Sequence, residues 1–158
     1  MSLKYRFDSD VETVFELLTD PDYLVQRSID MGEASADCEV SDVGDDQTVI
    51  EITRQVEQEL PAFLSRIFSP SQTVSQSECW KRAGKKFVGN YDIQIHGQPV
   101  QVHSSFKLEP SGNGCEYSVD HNVSVKIPVI GKRVGKYVQG QTEDGILRQL
   151  EHAKERLG

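Results

Sequence analysis

The stretch that most constrains this chain is its last one, residues 131–157. It contains no proline, and Ala, Leu, Arg, Lys, Gln and Glu are dense in its second half. It therefore reads as one helix, about 36–40 Å long at roughly 1.5 Å per residue. Ile146, Leu150, Ala153 and Leu157 recur on one face at helical spacing. Carried back toward the helix start, that face shows Gly135, Gln139 and Thr142. One half has bulk to enter a core, and the other offers only small or polar groups. Such a helix is suited to sealing one end of a sheet and roofing a hollow over the other.

The rest of the chain supplies that sheet. Leu3, Tyr5 and Phe7 alternate with Lys4 and Arg6 as a half-buried strand does. Ser9-x-x-Glu12 has the spacing of a capping box, and Asp20-Pro21 places a cap before a proline at the first helical position. Two short helices are thus expected, the second ending near Ile29. From Met31 onward the period changes to two. Strands are expected over 33–43, 48–56, 73–82, 86–95, 100–108 and 115–125, separated by turn residues such as Gly44-Asp45-Asp46, Ala83-Gly84 and Pro110 to Gly114. Between the second and third of these, Leu60, Phe63, Leu64, Ile67 and Phe68 are helically spaced after Pro61, predicting a short amphipathic helix or lid.

The expected fold is therefore α+β: a curved antiparallel meander of about seven strands, two short helices after the first strand, and one long helix across the sheet. A length of 158 residues fits a single domain, 1–158. This order resembles the helix-grip fold of the START-like, birch-pollen-allergen-like superfamily (SRPBCC), which includes polyketide cyclases and lipid carriers. The Leu60-Pro61 break, the Trp80 strand end and the Ile127-Pro128 entry to the last helix are similar to a bacterial family of that superfamily without assigned catalytic residues. The resemblance implies ligand binding; it supplies no motif for catalysis.

Charge and cysteines narrow the function classes. Residues 1–60 hold 16 acids against 4 bases, while residues 61–158 hold 9 against 13. No concentrated basic face emerges, which argues against nucleic-acid binding. The N-terminal residues lack a signal-like apolar run, and Cys38, Cys79 and Cys115 are odd in number and widely spaced; a cytoplasmic location with reduced thiols is expected. No set of residues has metal-ligand spacing, and no nucleotide or hydrolase motif is present, so neither metal nor cofactor is expected.

Strand parity places the 57–70 insertion, the 96–99 turn and the 126–131 entry at one end of the sheet. Leu60, Phe63, Leu64, Ile67, Phe68, Ile127, Val129 and Ile130 there are expected to rim a cavity mouth, the alternative being that they pack together as a satellite core. Inward-phase residues Ile93, Val102, Phe106 and Val119 would wall a cavity for a lipid-like or aromatic ligand. Burying ten CH₂ groups is worth about 8 kcal/mol, and association and ordering cost on the order of 4–15. Polar groups must therefore set orientation. Arg54, Ser104, His121, Gln139 and Thr142, with the hydroxyls of Tyr91 and Tyr117, are the candidates, and Gly135 lies over the hollow.

His121, among valines, either serves as a general acid or base or is a neutral buried histidine bonded to a hydroxyl. Arg54 either clamps an anionic head or pairs with an acid such as Asp92 or Glu78. Lys126, Lys132, Arg133 and Lys136 flank the apolar Ile127–Ile130, a pattern compatible with transient contact at an anionic membrane surface. Three functions follow: a non-catalytic carrier or sensor of a small hydrophobic molecule, which the lining favours; a cyclase- or dehydratase-like enzyme; and a protein-interaction module using the apolar end.

Overall fold

Alternating burial on successive strands closes one continuous sheet. The computed structural model describes residues 2–158. Strand β1 (Ser2–Phe7) is followed by helices α1 (Val11–Leu18) and α2 (Pro21–Asp30). Strands β2 (Ser35–Asp42), β3 (Gln47–Glu57), β4 (Ser71–Ala83), β5 (Lys86–Ile95), β6 (Val100–Ser111) and β7 (Gly114–Val125) precede α3 (Gly131–Leu157). The sheet order is β1-β7-β6-β5-β4-β3-β2, antiparallel throughout, so β2 to β7 form a meander and β1 closes against β7. This is the helix-grip architecture.

Local chemistry sets the element ends. Asp20 accepts from the backbone N–H of Asp22 and Pro21 opens α2, as the dipeptide predicts. The first cap falls one residue later than the Ser9 spacing indicates: Asp10 accepts from Thr13 N at 2.8 Å, and Glu12 pairs with Arg82 instead. Residues 61–67 form two successive turns rather than a helix, with Ser65 N bonded to Pro61 O and Phe68 N to Leu64 O. Pro70 disfavours helical backbone at Ser69, and Leu64 and Phe68 pack into the smaller core from these turns.

The inner face of the sheet carries two cores. The larger joins α1, α2 and the C-terminal half of α3 through Phe7, Val14, Trp80, Phe106, Leu150 and Ala153. Phe106 fits there because Gly89 opposite it has no side chain; a Cβ on Gly89 would stand 2.1 Å from Cys79 O and 2.6 Å from Phe106 Cζ. The smaller core joins Leu64, Phe68, Val100 and Val102 to Val134 and Val138 of α3. The first half of the helix thus brings bulk as well. Val138 lies roughly a third of a turn from Leu150 at 3.6 residues per turn, so extending the Ile146–Leu157 stripe backward misses it. The helix meets the curved sheet on a face that shifts along its length.

Candidate functional site

Between the two cores lies a cavity of about 240 Å³. Its floor is the inner face of β3, β4 and β5, from Arg54, Gln72, Gln76, Tyr91 and Ile93, reaching Val102 on β6. Its roof is one flank of α3, with Val138, Thr142, Gly145, Ile146 and Gln149. Met31 and Glu33, after α2, close one side. Two-residue periodicity selects the floor, since Gln72, Val74, Gln76, Glu78 and Trp80 all project inward from β4. On the roof, a Cβ added at Gly145 would meet nothing within 4 Å. The lining mixes apolar walls with five glutamines, Gln58, Gln72, Gln76, Gln141 and Gln149.

A transverse row of polar side chains crosses the otherwise apolar inner face beside this cavity. Register places Glu78, Tyr91, Ser104 and His121 side by side on β4, β5, β6 and β7. The Tyr91 hydroxyl lies 2.5 Å from His121 Nε2. Glu78 accepts from Trp80 Nε1 at 2.7 Å and from Gln76 Nε2 at 2.9 Å. Among the described residues, His121 Nδ1, Ser104 Oγ and Arg27 Nε are buried without a hydrogen-bond partner. Burial pushes the Tyr91 and Tyr117 phenols and the Glu78 carboxyl up and the His121 imidazolium down, favouring the neutral form of each. The row is a buried hydrogen-bonding strip, and Tyr91 is the member that also faces the cavity.

Arg54 sits at the cavity side with Nη1 2.5 Å from Glu33 Oε2, both side chains largely buried. Its partner is thus neither Asp92 nor Glu78, because Glu33 follows α2 directly and α2 packs along β2, beside β3. Asp92 points outward and pairs with His103.

The other candidate residues divide cleanly. Arg54, Tyr91, Ile93, Val102 and Thr142 line the cavity. Ser104 and His121 stand behind Tyr91, buried at 1% and 7% exposure. Phe106, Tyr117 and Val119 belong to the larger core. Gly135 faces Val125, and Gln139 bonds Glu143, away from the lining. Of the residues expected at the mouth, Leu60, Phe63, Leu64, Ile67, Phe68, Ile127 and Ile130 close on one another and on Val134 as the smaller core, while Val129 is fully exposed. None of the eight lines the cavity, which lies instead under the middle of α3. Glu33, Gln72, Gln76, Gly145 and Gln149 were not among the expected lining; two glutamines in phase with Val74 and Trp80 are the one sequence signal that marks them.

A second concavity, on the outer face of the sheet, is lined by Glu51, Ser77, Asp92, His103 and Asn122 in one register row. Asp92 stands between Ser77 and His103, so no histidine contacts the serine there. Among the described residues no group of three or more His, Cys, Asp and Glu is placed to hold a metal ion, and no helix is long and apolar enough to cross a membrane. All three cysteines are free, and burial pushes the thiols of Cys38 and Cys115 up to about 11.

A sequence-family profile, described as "Protein of unknown function (DUF2505)", matches residues 2–157. The chain belongs to the DUF2505 family. No curated protein matches the DUF2505 chain in sequence. Among solved structures it is similar to a protein from Thermus thermophilus, at 15% identity and TM-score 0.65 over 99% of this chain and 94% of that one. It is also similar to a START superfamily protein from Mycobacterium smegmatis, at 19% identity and TM-score 0.62 over 100% and 98%. A third similar structure is Ara h 8.0201, at 17% identity and TM-score 0.60 over 99% and 97%. At these identities the likeness establishes the fold that this DUF2505 protein shares with them.

Proposed function

We propose that the protein binds a small neutral molecule of mixed polarity between the sheet and α3. The observation that carries this reading is the cavity of about 240 Å³ held open between two packed cores. Its size lies just below the roughly 300–1,000 Å³ of drug-sized sites, so a compact ring system or a short chain fits the space better than a long acyl chain. Val74, Ile93, Val102 and Ile146 would take the apolar part. Glutamine amides and the Tyr91 hydroxyl would orient a carbonyl or hydroxyl. Charged lining groups come as two of each sign, Glu33 and Asp144 with Arg54 and Arg148, which favours a neutral ligand. Native mass spectrometry of freshly purified protein tests the reading: a reproducible small adduct supports it, and a bare chain under gentle desolvation, from cells and after incubation with neutral amphiphiles, counts against it.

One observation favours a second reading, catalysis. Tyr91 and His121 are within hydrogen-bond reach of each other, and Tyr91 is at the cavity wall. In a balanced relay, His121 Nε2 would take the Tyr91 proton as the phenol oxygen takes one from a ligand, and the imidazolium would return it when Tyr91 reprotonates the product. The readings separate on His121→Ala: a carrier keeps its adduct unchanged, whereas a catalyst accumulates unconverted ligand of a different mass.

A further inference from the structure

The end of the molecule where the chain enters α3 differs electrostatically from the rest. Segments 60–77, 93–106 and 121–142 meet there in the smaller core. Together they carry five exposed cations, Arg66, Lys126, Lys132, Arg133 and Lys136, and no aspartate or glutamate, in a chain whose formal charge is −8. Acids stand directly outside these bounds: Glu59 at the start of the loop, Glu78, Asp92 and Asp120 along the strands, and Glu143 farther along α3, where it accepts from Gln139. Among the described residues none of the five cations is in an ion pair. Arg133 rests over the Phe63 ring at 3.8 Å.

In the middle of these charges stands Val129, 101% exposed, with a backbone φ of 69°. That conformation is rare for a β-branched residue. Its side chain is fully solvated, so no packing in the free protein offsets the strain. Beside it, Val123, Val125 and Ile127 line an open concavity of about 490 Å³ with Gly131 and Lys132. The N-cap of α3, Ile130, supplies no side-chain acceptor, and the first turn has no acid, so its positive charge opposes the helix dipole. An apolar tip ringed by cations is poorly matched to water and well matched to a headgroup layer over hydrocarbon.

We propose that this end docks on an anionic lipid surface, with Val129 entering the interface and the five cations facing the headgroups. The inference is independent of what the cavity binds. Co-sedimentation of the full chain with phosphatidylcholine vesicles, with and without phosphatidylglycerol, tests it. The protein should pellet with the anionic vesicles at low salt and leave them at about 1 M salt, where the screening length falls to roughly 3 Å. Val129→Asp and the pair Lys132→Glu/Arg133→Glu should each weaken partitioning roughly tenfold or more. Lys85→Glu/Lys86→Glu, at the opposite end of the sheet, should leave it unchanged. Circular dichroism melting verifies that each variant is folded. Failure of the parent protein to bind anionic vesicles at low salt would overturn the proposal, as would equal binding to neutral vesicles, or equal loss in the Lys85/Lys86 variant, which would indicate diffuse attraction.

Discussion

The hydroxyl of Tyr91 on β5 reaches across Ser104 on β6 to within 2.5 Å of His121 Nε2 on β7. Two strands apart, these residues share a bond that leaves the remaining ring nitrogen and the intervening serine oxygen buried and unpartnered. Removing both members should therefore cost less than the two single losses added together. Tyr91→Phe and His121→Phe are each expected to lower stability by about 1–3 kcal/mol, and the double variant by less than their sum, read as urea midpoints at constant m-value. Strict additivity would mean that the bond contributes nothing.

Burial lowers the His121 pKa in the folded state below its ordinary value of 6.5. The unfolded chain then binds the proton more readily, so stability rises with pH across this window and is lost as pH falls from about 6.5 through the folded-state pKa. Glu78, raised by burial, acts with the opposite sign: its contribution is present below the ordinary carboxyl range and is lost as pH rises through its folded-state value. Comparing His121→Gln with the parent isolates the histidine. The variant should show a shallower loss of stability between about pH 7 and 5; identical slopes would contradict the burial of a neutral imidazole.

Glu33 and Arg54 make a largely enclosed ion pair at the cavity side. Glu33→Gln leaves the guanidinium uncompensated there, and the expected destabilisation is about 1–3 kcal/mol, below the cost for a fully buried pair. The same change should shift ligand preference toward anionic amphiphiles, measured by calorimetric titration of matched neutral and carboxylate probes. A loss of stability with no change in preference would place Arg54 outside ligand contact.

Two glycines should respond in opposite directions. Gly89→Ala forces a Cβ into Cys79 O and the Phe106 ring, an overpacking expected to cost about 3 kcal/mol or more. Gly140→Ala, where the added Cβ meets nothing within 4 Å, should raise stability by about 1 kcal/mol through helix propensity. Thermal melts read both.

Val129→Asn should stabilise the free protein by on the order of 1 kcal/mol, since asparagine tolerates the left-handed backbone that strains valine. A lower melting temperature would show that Val129 makes a stabilising contact in solution.

Residue alternation made the sheet legible. Phe7, Tyr91, Phe106 and His121 all point inward as their spacing indicates, and the turn residues separate the strands correctly. The Ile146–Leu150–Ala153–Leu157 stripe likewise finds its core. The site was legible only in part, for a geometric reason. A helical stripe read at a fixed period assumes one flat partner, whereas α3 crosses a curved sheet and turns Val134, Val138 and Gly145 toward it farther on. The cavity thus sits under the middle of the helix, and the apolar groups around Leu64 and Phe68 fill the end where a mouth was expected. Arg54's partner was hidden for another reason: Glu33 lies in the link between α2 and β2, and no local spacing relates it to β3.

The cavity itself is tested most directly by Gly145→Trp, which places an indole where a Cβ now meets nothing within 4 Å. The measurement is titration with a neutral solvatochromic naphthalene dye, followed by emission from parent and variant at equal melting temperature. The parent should bind with a blue-shifted emission, and the variant should lose affinity by roughly tenfold or more, equivalent to about 1.4 kcal/mol. Equal binding by both proteins, or no binding by the parent, would contradict a ligand site between the sheet and α3.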